Sequence, residues 1–182
     1  MQDALAKLRG EFTERGWPTF EMGIGINTGV MNVGNMGSQF RVAYTVVGDA
    51  VNLGSRIENL TRVYKTDIIV SETTKNAITD MLFHELDVVR VKGKGEATRL
   101  FEPLCALTDA DETTIQRVDT HAKALQAYYE KNWNEASRLF STLNNGSDAD
   151  PTYYRVLLDR IATFKREPPA TDWDGITDYH TH

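Results

Sequence analysis

Asn52 and Arg56 stand four residues apart in the run VVGDAVNLGSRIE, and on a helix that spacing puts both side chains on one face. Leu53, Ile57 and Leu60 mark a separate apolar face, which leaves the amide and the guanidinium pointing away from the core. Together they offer donors to a sugar oxygen and to a phosphate whose negative charge grows during a reaction. An ordinary solvated helix face carries the same residue types, so the pair alone assigns nothing. Asp49, just ahead of it, falls at the expected helix start. There its carboxylate can cap free N–H groups, and we read it as a cap and not as a metal ligand.

Three other patterns bear on chemistry. The Lys92-Gly93-Lys94-Gly95 run presents two cations at a turn, and in isolation it reads as a solvated hairpin tip. Gly23, Gly25 and Gly29 form G-x-G-x-x-x-G, which misses the dinucleotide-binding spacing and leads into a hairpin. These glycines are expected to permit close backbone packing. His84, His121, His180 and His182 show no metal-ligand spacing and receive no function.

The elements that must position these residues follow from periodicity. A helix is expected from Met1 to Arg15, closed by Gly16 and Pro18. Met22, Ile24 and Ile26 alternate as a strand, a short strand is expected from Val30 to Val33 between turn formers, and Phe40 to Val47 reads as another strand. The Asn52 helix comes next, then a strand at Lys65 to Val70, a helix from Ser71 to about Met81, and two strands from Phe83 to Leu104 around the lysine-glycine turn. Beyond Thr108, Ala122, Leu125 and Tyr128, then Trp133, Ala136 and Phe140, recur at helical spacing. They predict two antiparallel helices turning at Asn132, with a third helix after Asp150-Pro151. The AYYEKNWNEASRLF segment resembles a single tetratricopeptide-type repeat, a unit that must bury its apolar face on the preceding domain, on a partner, or on the helix from Tyr153 to Phe164.

Composition limits the function classes. The chain has 182 residues, 41% hydrophobic and 25% charged, enough for one globular domain and a small appendage. A net charge of −6 disfavours extended nucleic-acid binding and requires any phosphate site to be local. The single cysteine, Cys105, forms no internal disulfide, reads as a space-filling residue, and suggests a reducing, cytoplasmic setting. No apolar run approaches the roughly 20 residues of a membrane span. The opening MQDALAKLRGEF is amphipathic, unlike a signal peptide, and reads like the middle of a helix, which suggests truncation.

Four linked motifs, GIGINTG, VGNMGS, YTVVGDAVNLGSRIE and VRVKGKGE, occur in the order and approximate spacing of class III adenylate and guanylate cyclases, and Phe20 to Leu104 resembles the C-terminal half of their catalytic domain. The resemblance implies an α+β fold: an incomplete ferredoxin-like cyclase domain, with a mixed or antiparallel sheet and helices on one face, followed by a helical hairpin plus one helix. It divides the chain into a cyclase part at 1–104, a linker at 105–116, a helical segment at 117–167 and a tail at 168–182. By the same resemblance Asn52 orients the ribose, Arg56 stabilises the transition state at the α-phosphate, Lys92 holds the terminal phosphates with Lys94 as a secondary candidate, and Thr45 helps select adenine. The implied substrate is ATP, converted to cyclic AMP and pyrophosphate with two Mg or Mn ions.

The family's metal-binding aspartates lie upstream of GIGINTG, in a segment resembling F-x-D-x-x-G-F-T and the hairpin after it, and neither occurs here. The implied active site forms between two cyclase domains, one bringing the metal aspartates and the other the Asn-Arg pair. A second domain, in a homodimer, is therefore an expected partner, and the isolated chain is expected to have little or no activity. An open sheet edge inviting dimerisation is expected too. The alternative reading is an inactive cyclase-like scaffold, or a regulatory module that recruits a protein through its C-terminal helices.

Overall fold

The computed structural model describes residues 2–38, 41–91, 97–145 and 151–179. Helix α1, Gln2–Glu14, ends where Gly16 takes a positive φ of 67° and Pro18 follows. Strands β1 (Ile24–Ile26), β2 (Asn32–Ser38) and β3 (Arg41–Val47) lead into α2 (Asp49–Tyr64), followed by β4 (Ile68–Ser71) and the short α3 (Glu72–Asn76). Strands β5 (Met81–Val91) and β6 (Thr98–Ala106) precede α4 (Glu112–Tyr129), α5 (Trp133–Asn144), α6 (Pro151–Arg166) and β7 (Thr177–Tyr179).

The main sheet runs β1-β4-β6-β5-β7 and is mixed: β1 is parallel to β4, β7 is parallel to β5, and the central pairs are antiparallel. β2 and β3 form a separate two-stranded antiparallel ribbon. Helix α2 packs on β1 and β4 through Leu53, Ile57 and Leu60, buried as the spacing predicts, and through Tyr64, which is buried with them. Each such side chain contributes roughly 1.5–3 kcal/mol relative to exposure. Ile69, Leu86, Val89 and Leu100 of the sheet meet them, and the same hydrophobic cluster continues into Leu125 and Tyr128 of α4, Phe140 of α5, and Leu157 and Ile161 of α6. The C-terminal helices thus bury their apolar faces on this chain's own core. A register shift between Glu85 and Asp87 lets consecutive residues Leu86 and Asp87 both be buried, which a regular strand would send to opposite faces.

Several local expectations are corrected. The first ribbon strand runs over Asn32–Ser38 instead of Val30–Val33, because Gly34 and Gly37 pair with Thr45 and Val42 and the ladder overrides their turn preference; Val30 is left 96% exposed. Ser71 does cap α3, accepting from the Thr74 N–H at 3.3 Å, but the helix ends at Asn76 because Met81 is already paired with Ala106. At α2 the N-cap position belongs to Gly48, which has no side chain to offer, and Asp49 is the first helical residue instead of the cap. The tail holds strand β7, which the sequence did not signal. It returns to the sheet through Gly175, at φ 83°, where an added Cβ would lie 2.9 Å from Tyr129 Cδ1.

Candidate active site

Asn52 is exposed and Arg56 half-buried on a face of α2 that flanks the Leu53, Ile57 and Leu60 stripe, with Arg56 one turn before Leu60. Neither side chain makes an ion pair or hydrogen bond among the described residues. The helix beneath them is seated tightly on β1. A Cβ on Gly25 would lie 2.3 Å from Glu58 N and 2.5 Å from Gly54 O, so only glycine lets the strand backbone touch the helix backbone here. This is the close packing expected of the G-x-G-x-x-x-G run. From the end of β1, Asn27 Nδ2 donates to Ala50 O at 2.9 Å in the first turn of α2.

Thr45 lies on β3 opposite Gly34, exposed on the ribbon that runs through Gly48 into α2. Thr45, Asn52 and Arg56 are therefore on consecutive elements. Lys92 and Lys94 lie outside the described residues. Among the described residues no three His, Cys, Asp or Glu side chains gather in a way that could hold a metal ion. These residues do not fit a two-ion centre. A cleft of about 1050 Å³ lies toward the far end of α2, lined by Arg62, Lys65, His84, Glu102, Arg117 and Tyr154 among others, and includes neither Asn52 nor Arg56. Its lining mixes both charge signs.

Sequence reasoning missed a buried polar hub. The Asp87 carboxylate accepts from Tyr64 Oη at 2.6 Å, from Arg160 Nη1 at 2.6 Å and from Thr177 Oγ1 at 3.0 Å, so α2, β5, α6 and β7 meet at one charge. Burial opposes the charge on Arg160, but the Asp87 carboxylate and the surrounding phenols hold its pKa above the ordinary value. Nearby, the His84 and His121 rings stack at 4.7 Å, His84 Nε2 lies 3.0 Å from Glu102, and His121 Nε2 lies 2.5 Å from Glu85 O. Burial, and then His84, bring the His121 pKa down to about 3. Both histidines are thus structural. No local pattern marks these side chains: Asp87 and Arg160 are 73 residues apart.

The mixed sheet with helices packed on it has the fold of a nucleotide cyclase catalytic domain. Residues 1–101 match the adenylate and guanylate cyclase catalytic domain, and the chain belongs to that family. It is 37% identical over 110 residues to an adenylate cyclase of Anabaena cylindrica, covering 56% of this chain and 22% of that protein. It is 41% identical over 86 residues to the terminal-differentiation-specific adenylate cyclase of Dictyostelium discoideum, covering 45% of this chain and 4% of that protein. Among solved structures, the guanylyl cyclase Cya2 superposes with a TM-score of 0.51 at 34% identity, covering 60% of this chain and 55% of that one. The chain thus spans about a fifth or less of the length of these two curated relatives. Divalent metal ions are general to the family. Among the described residues, no helix is long and apolar enough to cross a membrane.

Proposed function

We propose that this chain provides the ribose- and transition-state-binding side of an adenylate cyclase, acting on ATP in the cytoplasm. The carrying observation is the Asn52-Arg56 pair on the outward face of a helix anchored on its other faces by the core and by Gly25. In the reaction, the ribose 3′-oxygen bonds to the α-phosphorus while the bond from that phosphorus to the bridging oxygen breaks. The hydroxyl loses its proton and pyrophosphate leaves with the electron pair. Such a transfer depends on positioning and charge stabilisation. Asn52 orients the ribose so that the 3′-oxygen is in line. Arg56 donates to α-phosphate oxygens as their charge grows. Lys92 holds the terminal phosphates, with Lys94 in support, and Thr45 favours adenine.

The metal ligands come from a second cyclase domain. The β2-β3 ribbon supports such a partner, since Val33, Val42 and Tyr44 stand 55%, 62% and 75% exposed on one projecting hairpin. Adenylate activity is favoured over guanylate because the Anabaena and Dictyostelium relatives are adenylate cyclases, and because a hydroxyl at position 45 suits adenine. The test is a tandem protein joining this chain to a cyclase catalytic domain that keeps its metal ligands but has its own arginine of the pair replaced by alanine. Cyclic AMP from ATP, with little cyclic GMP from GTP, is expected. Failure to form either product from a folded tandem refutes the assignment, and preference for GTP refutes the base choice alone.

A further inference from the structure

Helix α2 lacks a capping side chain at Gly48, and its first two turns carry the residues on which the proposed chemistry depends. A side-chain hydrogen-bond relay ties that segment to β1 and α3. Asn27 Nδ2 donates to Ala50 O at 2.9 Å, and Thr73 Oγ1 of α3 donates to Asn27 Oδ1 at 3.1 Å. The amide orientation follows from its partners: a backbone carbonyl only accepts, so the nitrogen faces Ala50 and the oxygen is left for the threonine hydroxyl. Asn27 thereby spans three elements, from the end of β1 to the first turn of α2 and to α3. The same junction is filled closely on its other sides. A Cβ on Gly29 would lie 2.7 Å from Ala50 Cβ, and Thr28 Oγ1 lies 3.0 Å from Thr74 Oγ1.

We propose that Asn27 is a positioning residue for this site: its side-chain amide braces the first turn of α2 against β1 and α3, and so sets the rotation and axial placement of Asn52 and Arg56. Asn27 is half-buried, and Thr73 is exposed, so the brace adds little to the core and its effect falls on geometry. Ala50 stands two residues before Asn52 and six before Arg56, within the first two turns. A helix free to shift there misplaces both donors, and a misplacement of about 1 Å can cost about a hundredfold in rate.

The inference rests on the proposed site, and the experiment separates the two. Asn27→Asp keeps the shape but removes the donor to Ala50; Thr73→Val removes the donor to Asn27, while Thr73→Ser keeps it. Hydrogen exchange is measured on the 182-residue chain, and kcat and KM for ATP on the tandem protein. Asn27→Asp is expected to speed exchange in the first two turns of α2 about tenfold while leaving Leu60–Tyr64 unchanged. It should lower kcat about tenfold or more with KM within about threefold. Thr73→Val should show a weaker form of both effects, and Thr73→Ser should restore them. Unchanged exchange, or faster exchange with kcat intact, overturns the inference even where Arg56→Ala shows the site to be correct. An Arg56→Ala tandem with undiminished turnover overturns the site, and with it a positioning role for Asn27.

Discussion

Replacing Arg160 by Met should destabilise the protein far more than any surface charge would. Arg160 Nη1 lies 2.6 Å from the Asp87 carboxylate, whose side chain is 1% exposed, while Arg160 itself is 15% exposed. Methionine keeps most of the side-chain length and packing. What remains is a carboxylate held by Tyr64 and Thr177 with no countercharge, in a place where water reaches little of it. Breaking a buried pair from one side costs about 3–5 kcal/mol, because the uncompensated charge must be tolerated or neutralised. For a chain of this size each kcal/mol moves the midpoint by about 2–4 °C, so the melting temperature should fall by roughly 6–20 °C. Urea denaturation followed by circular dichroism gives the loss directly, provided the slope with denaturant stays constant. Adding Asp87→Asn to the variant should recover part of the loss, since a neutral amide can stay buried on the remaining donors. A loss below about 1 kcal/mol would refute the reasoning, for it would put the pair among solvated surface bridges.

Gly25→Ala should destabilise by about 1–3 kcal/mol or more, since a methyl facing Glu58 N and Gly54 O can be housed only by lifting β1 off α2; thermal melting at the wild-type midpoint would contradict this packing. His121 supplies a pH dependence of defined sign. Its folded pKa of about 3 lies below the unfolded value of about 6.5, so the unfolded chain binds more protons between them. Its contribution is complete above about pH 6.5 and declines by about 1.4 kcal/mol per unit as the pH falls toward 3. Between about pH 7.5 and about pH 5, wild type should lose about 2 kcal/mol more than His121→Leu, and equal losses would show that His121 is not held neutral.

The elements were legible where local chemistry decides them. The apolar stripe of α2, the two long strands flanking the lysine-glycine turn, and the helical hairpin turning at Asn132 all follow from periodicity, and the glycines of GIGINTG pack as that pattern requires. Long-range pairing was not legible. Ribbon strand β2 runs through glycines whose local preference is for turns, and α3 stops early because β5 is claimed by β6. β7 has three residues and exists because Arg160, Asp87 and Arg90 hold Thr177, Tyr179 and Asp178. At the proposed site, spacing puts Asn52 and Arg56 on one helix face, but only the resemblance to cyclases gives them roles. Asn27 stayed hidden because an asparagine before a glycine-rich turn ordinarily signals the turn itself.

In the proposed reaction Arg56 acts on charge that develops during nucleotide cyclisation. Steady-state kinetics of Arg56→Ala in the tandem protein test it most directly. Donors that matter chiefly in the transition state should cost about a hundredfold or more in kcat, with KM for ATP changed by less than about threefold. A variant that keeps its kcat and only raises KM would contradict the account.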